Sequence, residues 1–533
     1  MPFISPGWSR NPRVLLCIVA GLLAFVVQSG ELGSSDTMHR LQATHSFWTS
    51  EPPVFPQEYP EFGVHGRGGR LYGWFGMGQS LLMLPADMIG TALEKIPIFD
   101  EYNGNDPSVR NIFVSYTTSI LINILTALIC FRFLRQLAFT TNQAIAGVLA
   151  LLFCTTHLHY TQDMMENNYI MFLTFTGFSF QYEWWRTGSK RALVIGSAAF
   201  GLNLLTRLTT GLDLIAGGLF ILVLGVFGHS DQIVKSFFGY VKVAGPIYGI
   251  FVLVDRVYQY YRFGSFSNTY VSVVAKEYHR LDPTLPANYP WETPFHVGFF
   301  GALLKPEKSI FLFDPLLIVT ILVVIGGWKL FRSEVKAYVV AVSFLLLAYI
   351  SFYAKYTVWS GDFAWGDRYV STAVQFLAFI SVPLLVRYRQ QLGKALWRAG
   401  VGLTAVGAVI QAASLAFWLP LEIYQMETLG HPTFVIWLRF RNIVAFALGK
   451  MDQWGLTNYV MQQDPWDYVH IKTWNFLPFL LRRVGEAPSW VDDTALAIWI
   501  LALAALIAGL WRLYSSMTYQ RSTGSGTSSY GYN

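Results

Sequence analysis

The sequence predicts an all-α, polytopic membrane protein of about 12 transmembrane helices, and three observations predict it. Of its 533 residues, 53% are hydrophobic, 16% aromatic and only 13% charged, whereas soluble domains carry about a quarter charged. The apolar residues gather in runs long enough to span a bilayer, and the Lys and Arg residues cluster at the ends of those runs. The 18 Trp, 28 Tyr and 41 Phe suit aromatic belts at two interfaces. A net charge of +6 placed at helix ends reads as topology and attraction to anionic membrane lipids, with no nucleic-acid binding. Cys17, Cys130 and Cys154 all lie in apolar runs, so no disulfide framework or zinc spacing is available.

Arg10 and Arg13 precede the first run, 14–28. A cleaved signal peptide is the alternative there. The run lacks a small-x-small cleavage site and many further helices follow, so it reads as a retained helix with a cytoplasmic N-terminus. The next spans are 111–131, closed by Arg132 and Arg135; 142–158; and 169–185, closed by Arg186, Lys190 and Arg191. Runs 192–205, 210–227 and 237–254 follow. Then come 310–328 (followed by Lys329, Arg332 and Lys336), 337–354, 370–386 (followed by Arg387, Arg389, Lys394 and Arg398), 400–418 and 494–510. The apolar segment 74–93 breaks this count. If it crossed, every later basic cluster would change sides, against the positive-inside rule. It also holds Pro85, Asp87 and several glycines. It therefore reads as an interfacial or re-entrant element inside one long external loop, 30–110. Both termini are then cytoplasmic, and the Ser-, Gly- and Tyr-rich segment 516–533 reads as a disordered tail.

This topology gathers the chemically interesting residues on the external face. Asp36, in Ser34-Ser35-Asp36-Thr37, begins an amphipathic helix in which Met38, Leu41, His45 and Trp48 share one side. It reads as a general base or a ligand to a phosphate-bound metal, or as a simple helix cap. Asp163 and Glu166 occupy the next external loop, where a second acid makes an acid/base or metal pair with Asp36 possible; solvation or capping is the plainer role. His157 and His159 fall on different faces of a helix end and read as structural or interfacial. Arg207 lies between two apolar runs, where a cation is costly unless it meets an anion or snorkels to the interface. Lys305, Lys308 and Arg368 could clamp phosphate, although Arg368 could equally pair with Asp362 or Asp367. Arg67 and Arg70, amid glycines, could reach an anionic head group or be solvated. No P-loop, dinucleotide fingerprint or HExxH is present. A group-transfer donor would then be delivered in the membrane, and a lipid-linked phosphate suits external acids with membrane-level cations.

The motifs, taken in order, resemble those of the GT-C glycosyltransferases, and most of all the bacterial relatives of the protein O-mannosyltransferases and of the lipid A aminoarabinose transferase. The stretch Gly69-Arg70-Leu71-Tyr72-Gly73-Trp74-Phe75-Gly76 opens the set. It is followed by Thr155, Tyr160 and Glu166 in a Thr-x4-Tyr-x5-Glu pattern, by Leu-Thr-Arg at Arg207, and by Tyr-x-x-Phe-Gly-Ser at 260–265. Leu-Leu-x-Pro-x-Lys-Ser at 303–309, Asp314-Pro315 and Trp-Gly-x-Arg-Tyr at 365–369 complete it. The resemblance covers about the first 390 residues. It implies a catalytic transmembrane module at 1–400 and a C-terminal membrane and external-loop region at 401–515. It implies Asp36 as catalytic base and Glu166 as its partner, the two holding a divalent ion (Mg, Mn or Zn) if one is used. Arg70, Tyr72, Tyr160, Arg207, Lys305, Lys308 and Arg368 become substrate-side residues. The implied activity is sugar transfer from a polyprenyl-phosphate donor to a glycan, lipid or protein acceptor at the external, periplasmic face of the cytoplasmic (inner) membrane. Two departures bear on the metal: Thr37 follows Asp36 where many relatives have Glu, and Asn167 stands where proline is common. The competing readings are a flippase for lipid-linked sugars, which predicts mid-membrane charges and inverted repeats, and a non-catalytic envelope scaffold.

Overall fold

The computed structural model describes residues 11–55, 63–100, 102, 107–228, 233–362, 364–427, 429–451, 473–484 and 488–523; most of the 516–533 tail lies outside them. The described chain is mostly α-helical, with one antiparallel ribbon pairing Val64–His65 with Leu71–Tyr72. Among the described residues six helices are long and apolar enough to cross a membrane: Val109–Gln136, Leu208–Phe227, Ile233–Phe263, Ser333–Tyr353, Arg389–Ser414 and Ser489–Thr518. The shorter helices Pro12–Val27, Thr141–Cys154, Leu316–Leu330 and Ser371–Arg387, with Asn167–Thr187 and Lys190–Thr206, fall on the other six expected runs.

Local chemistry sets the ends of these helices. Pro12 opens the first, where its missing N–H costs no helical bond. Thr140 and Gln143 form a reciprocal capping box before Thr141–Cys154. Gly188, with φ of 70°, closes Asn167–Thr187 in the left-handed conformation that only glycine adopts without strain. In lipid, helices associate through close packing, not through burial from water. Accordingly Gly177 and Gly217 receive the ring of Phe200, and a Cβ at Gly177 would lie 2.5 Å from it. Phe175 stacks on Phe376 at 3.9 Å, and Phe133, Phe178, Phe220 and Tyr338 complete an aromatic core.

The segment carrying helices Ser35–His45 and Gly78–Glu94 is packed onto this bundle. Helix Ser35–His45 is capped by the Ser34 hydroxyl, which accepts from Thr37 N at 3.3 Å. The cap is therefore Ser34, and Asp36 projects from the first turn. The buried face of this helix is Thr37, Arg40, Leu41, Thr44 and His45, with Met38 exposed, so the stripe expected through Met38 and Trp48 is rotated by the packing against Gly78–Glu94. That second helix, the segment held apart from the spans, lies along Val109–Gln136. Fully buried Asp87 clips all three together. It accepts from Trp48 Nε1 at 2.7 Å, meets His45 Nδ1 at 3.0 Å and pairs with Arg110 Nε at 2.5 Å.

Two departures from ideal spans shape the site. Lys190–Thr206 stops at Arg207, whose backbone is extended (φ −152°), before a tight turn leads into Gly211–Phe227. Helix Ile233–Phe263 continues nine residues past the expected end at 254, bringing Asp255, Gln259 and Arg262 to the same end of the bundle as the external loop.

Candidate functional site

A cavity of about 610 Å³ opens where the segment carrying helices Ser35–His45 and Gly78–Glu94 meets the ends of the bundle helices. Its polar end holds Asp36, Arg40, Glu166, Arg207 and Arg368; the rest of the lining is largely apolar and aromatic, including Trp74, Leu212, Trp291 and Tyr353, with Asp255, Gln259, Thr269 and Ser272 among it. Five positions from four separate stretches of sequence thus converge. Arg40 arrives because it lies four residues after Asp36 on one helix, hence on the same face. Glu166 arrives as the residue before Asn167–Thr187, Arg207 from the helix break, and Arg368 from the loop between Ser333–Tyr353 and Ser371–Ala378.

The charged groups are paired. Arg368 Nη1 donates to Asp36 Oδ2 at 2.7 Å. Glu166 is flanked on both sides: Oε2 lies 2.8 Å from Arg40 Nη1, and Oε1 accepts from Arg207 Nη2. Burial alone would raise the Glu166 pKa, but Arg40, Arg207 and Arg368 outweigh it and hold the carboxyl below the usual carboxylate range. Three guanidinium groups therefore face two carboxyl groups, a balance that favours an incoming anion. Tyr369 sets the spacing, with the Arg207 and Arg368 guanidinium carbons each 5.3 Å from its ring centre. Tyr369 is itself stacked on Tyr353 at 4.4 Å.

Neutral ties hold three of the four stretches in register. Thr37 Oγ1 donates to the Met164 carbonyl at 3.1 Å, and Gln79 Nε2 donates to the same oxygen at 2.9 Å. Asn167 Nδ2 donates to the Arg368 carbonyl at 2.7 Å and to Ser371 Oγ at 2.8 Å. A proline at 167 would remove this link between the Glu166 and Arg368 loops. The lip of the cavity is latched from outside: Arg262 donates to the carbonyls of Gly73 and Phe75. The Phe75 ring in turn sits 4.1 Å from the Arg40 guanidinium.

Of the nine sequence-derived site residues, Asp36, Glu166, Arg207 and Arg368 line the cavity. The other five lie elsewhere. Lys308 is buried beneath the Arg368 loop, where its Nζ donates to the carbonyls of Asp362, Ala364 and Gly366 at 2.6, 2.8 and 3.2 Å. With all three protons spent on backbone, Lys308 is a loop staple and not a phosphate ligand. Lys305 is half-exposed, 3.4 Å from Glu307 and 5.2 Å from the Trp359 ring. Tyr160 is buried with its hydroxyl on the Trp365 carbonyl at 3.0 Å. Tyr72 is buried in the ribbon between Tyr261 and Phe263, and Arg70 is exposed at the start of the same strand. Arg40 and Tyr369 were not anticipated. The i, i+4 spacing from Asp36 was the available signal for Arg40, and position 369 in the Trp-Gly-x-Arg-Tyr motif was the signal for Tyr369.

A divalent ion does not fit the expected Asp36–Glu166 pair. Both Glu166 oxygens face arginine, and one Asp36 oxygen is held by a third. Among the described residues no group of three His, Cys, Asp or Glu side chains is placed to hold a metal. What the donor set can hold is an anion at the guanidinium cluster, beside a carboxylate able to accept a proton. No protein-family model matches the chain, and no curated protein matches its sequence.

Proposed function

We propose that this chain is an integral membrane glycosyltransferase, spanning the cytoplasmic membrane 12 times with both termini inside. It would move a sugar from a polyprenyl-phosphate donor to a hydroxyl or phosphate on a glycan, lipid or protein acceptor at the external face. One observation carries the reading: an acid and three guanidinium groups at the polar end of a cavity whose remaining walls are largely apolar and aromatic, among helices of membrane-crossing length. An amphiphilic donor asks for this combination, a charged pocket for its phosphate beside apolar surface for its chain.

The chemistry follows from the pairs. An arriving phosphate offers Arg368 and Arg207 a second anionic partner and loosens Arg368 from Asp36. The acceptor hydroxyl gives its proton to the Asp36 carboxylate while its oxygen attacks the anomeric carbon. The anomeric carbon–phosphate oxygen bond breaks, and its electron pair leaves with the phosphate, whose growing charge the guanidinium groups meet in place. Glu166 holds Arg40 and Arg207 in position and takes no proton.

The test is transfer of label from a panel of radiolabelled polyprenyl-phosphate sugars in membranes, wild type against Asp36→Asn. Loss of a general base costs about 10²–10⁴ in rate, so transfer in the wild type should fall at least about a hundredfold. Equal transfer in both removes Asp36 as the base, and no transfer from any donor removes the reading.

A further inference from the structure

We infer that the transfer proposed above needs no divalent cation, because Arg40, Arg207 and Arg368 supply the positive charge that a metal ion would otherwise bring to the departing phosphate. The inference rests on that reading of the site, but its argument lies in how the carboxylates are used. Glu166 sits between Arg40 and Arg207, with one carboxylate oxygen toward each. Its side chain is only 4% exposed, which leaves a cation little room to approach. Asp36 is held by Arg368 at 2.7 Å.

Several polar groups beside these acids are engaged by the fold, although Asn167 Oδ1 and Asp163 Oδ1 are buried with no hydrogen-bond partner. The neutral side chains next in sequence to the two acids, Thr37 and Asn167, donate to backbone carbonyls. Asp255, the third carboxylate on the cavity wall, is paired with Arg256. Asp163 is buried against Gly33, outside the lining, yet close enough to Asp36 and Glu166 for their charges to act on it. Among the described residues no three His, Cys, Asp or Glu side chains are placed to hold a metal, whereas Mg²⁺ and Mn²⁺ want several oxygen ligands in near-octahedral array.

The three guanidinium groups are fixed in advance. Arg40 is fixed by Phe75 and Glu166, Arg207 by Glu166 and Tyr369, and Arg368 by Tyr369 and Asp36. Donors held before the reaction stabilise developing charge without reorganising, which is the service a metal would perform. Glu166 is then a positioning residue and not a ligand.

The purified full-length chain decides this. Transfer from the active labelled donor is measured with and without EDTA and with added Mn²⁺, and Mn²⁺ is titrated into the protein and followed by electron paramagnetic resonance. The expected result is transfer within about twofold under all three conditions, and a free-Mn²⁺ signal that the protein does not deplete. A tenfold loss in EDTA restored by Mn²⁺, or one tight Mn²⁺ site abolished by Glu166→Gln, overturns the inference. Arg207→Ala sharpens it: removing one preorganised donor should cost about 10²–10³, with partial rescue by added guanidinium and none by Mn²⁺. Rescue by Mn²⁺ alone would overturn it too. If no donor supports transfer, the glycosyltransferase reading falls by itself, and the Mn²⁺ titration still decides whether these carboxylates form a metal site.

Discussion

Two regions of this molecule use the same chemistry, an arginine against a carboxylate, to opposite ends. At the C-terminal side, Arg439 and Glu422 are both fully buried and meet in a two-pronged pair at 2.6 and 2.7 Å. Arg439 spends its remaining nitrogen on the Ser414 carbonyl, and Asn442, itself paired with Gln425, donates to Glu422. One cation faces one anion, the donors of Arg439 are spent, and both side chains are fully buried. At the cavity the Arg368–Asp36 and Arg207–Glu166 pairs keep part of their surface open, and three cations face two anions. A sealed, balanced pair gives a fold its register. An open cluster with a surplus of one sign has the charge and the exposure to receive an anion. Exposure and charge balance, more than the presence of an ion pair, separate site from scaffold.

The sharpest way to break the comparison is to neutralise one member on each side. Asp36→Asn should lower transfer by about 10²–10⁴ while leaving the thermal unfolding of the detergent-solubilised protein nearly unchanged. Arg439→Met should do the reverse. It strands a buried carboxylate, which costs about 3–5 kcal/mol, yet the folded fraction should keep its transfer rate within about threefold. Unfolding and transfer measured on the same preparations check both. If Arg439→Met abolished transfer at unchanged stability, the C-terminal network would belong to the site.

A smaller effect tests the edge of the cluster. Asp163 is buried beside Gly33, and its pKa is pushed up to about 7, chiefly by burial, with Asp36, Glu166 and Glu31 adding to the rise and Arg368 opposing it. A carboxyl whose folded-state pKa lies above its ordinary value of 3.8 ionises first in the unfolded chain. Its contribution to stability is present at low pH and is lost as pH rises through the folded-state value. Asp163→Asn cannot ionise and escapes this loss. The variant should match the wild type near pH 4, gain on it through pH 7, and level off on the order of 2–4 kcal/mol more stable. A stability difference that does not change across that interval would mean Asp163 is paired in a way that keeps it charged.

How much of this was legible in the sequence follows from what each signal measures. Apolar runs and basic clusters report on the bilayer, and helices occupy all twelve expected runs. The Gly78–Glu94 segment reads as distinct from the spans because it holds Pro85 and Asp87 and because a crossing there would move every later basic cluster to the other side. Arg207 could be flagged because a cation between apolar runs is costly wherever it stands. Lys308 was misassigned because a lysine beside a motif looks the same whether its ammonium meets a phosphate or three carbonyls; only the turn of residues 362–366 decides. Arg40 was overlooked because its meaning depends on Glu166, 126 residues away. The rotation of the Ser35–His45 face likewise depends on a neighbouring helix that local periodicity does not see. Side-chain direction and charge pairing are tertiary facts.

The weakest expected effect falls on Lys305, and it bounds the cluster from outside. Its side chain is 47% exposed, 3.4 Å from Glu307, and its ammonium lies over Trp359 at 5.2 Å. An exposed ion pair is worth roughly 0–1 kcal/mol, and a solvent-facing cation–π contact about 0.5–1. Lys305→Ala should therefore cost at most about 1 kcal/mol in unfolding and leave transfer within about twofold, since the side chain does not line the cavity. A tenfold rise in donor KM with kcat preserved would instead place Lys305 on the route by which the donor's phosphate enters. The surplus of positive charge would then extend beyond the three arginines, and the boundary drawn here between open cluster and surrounding surface would have to move outward to include it.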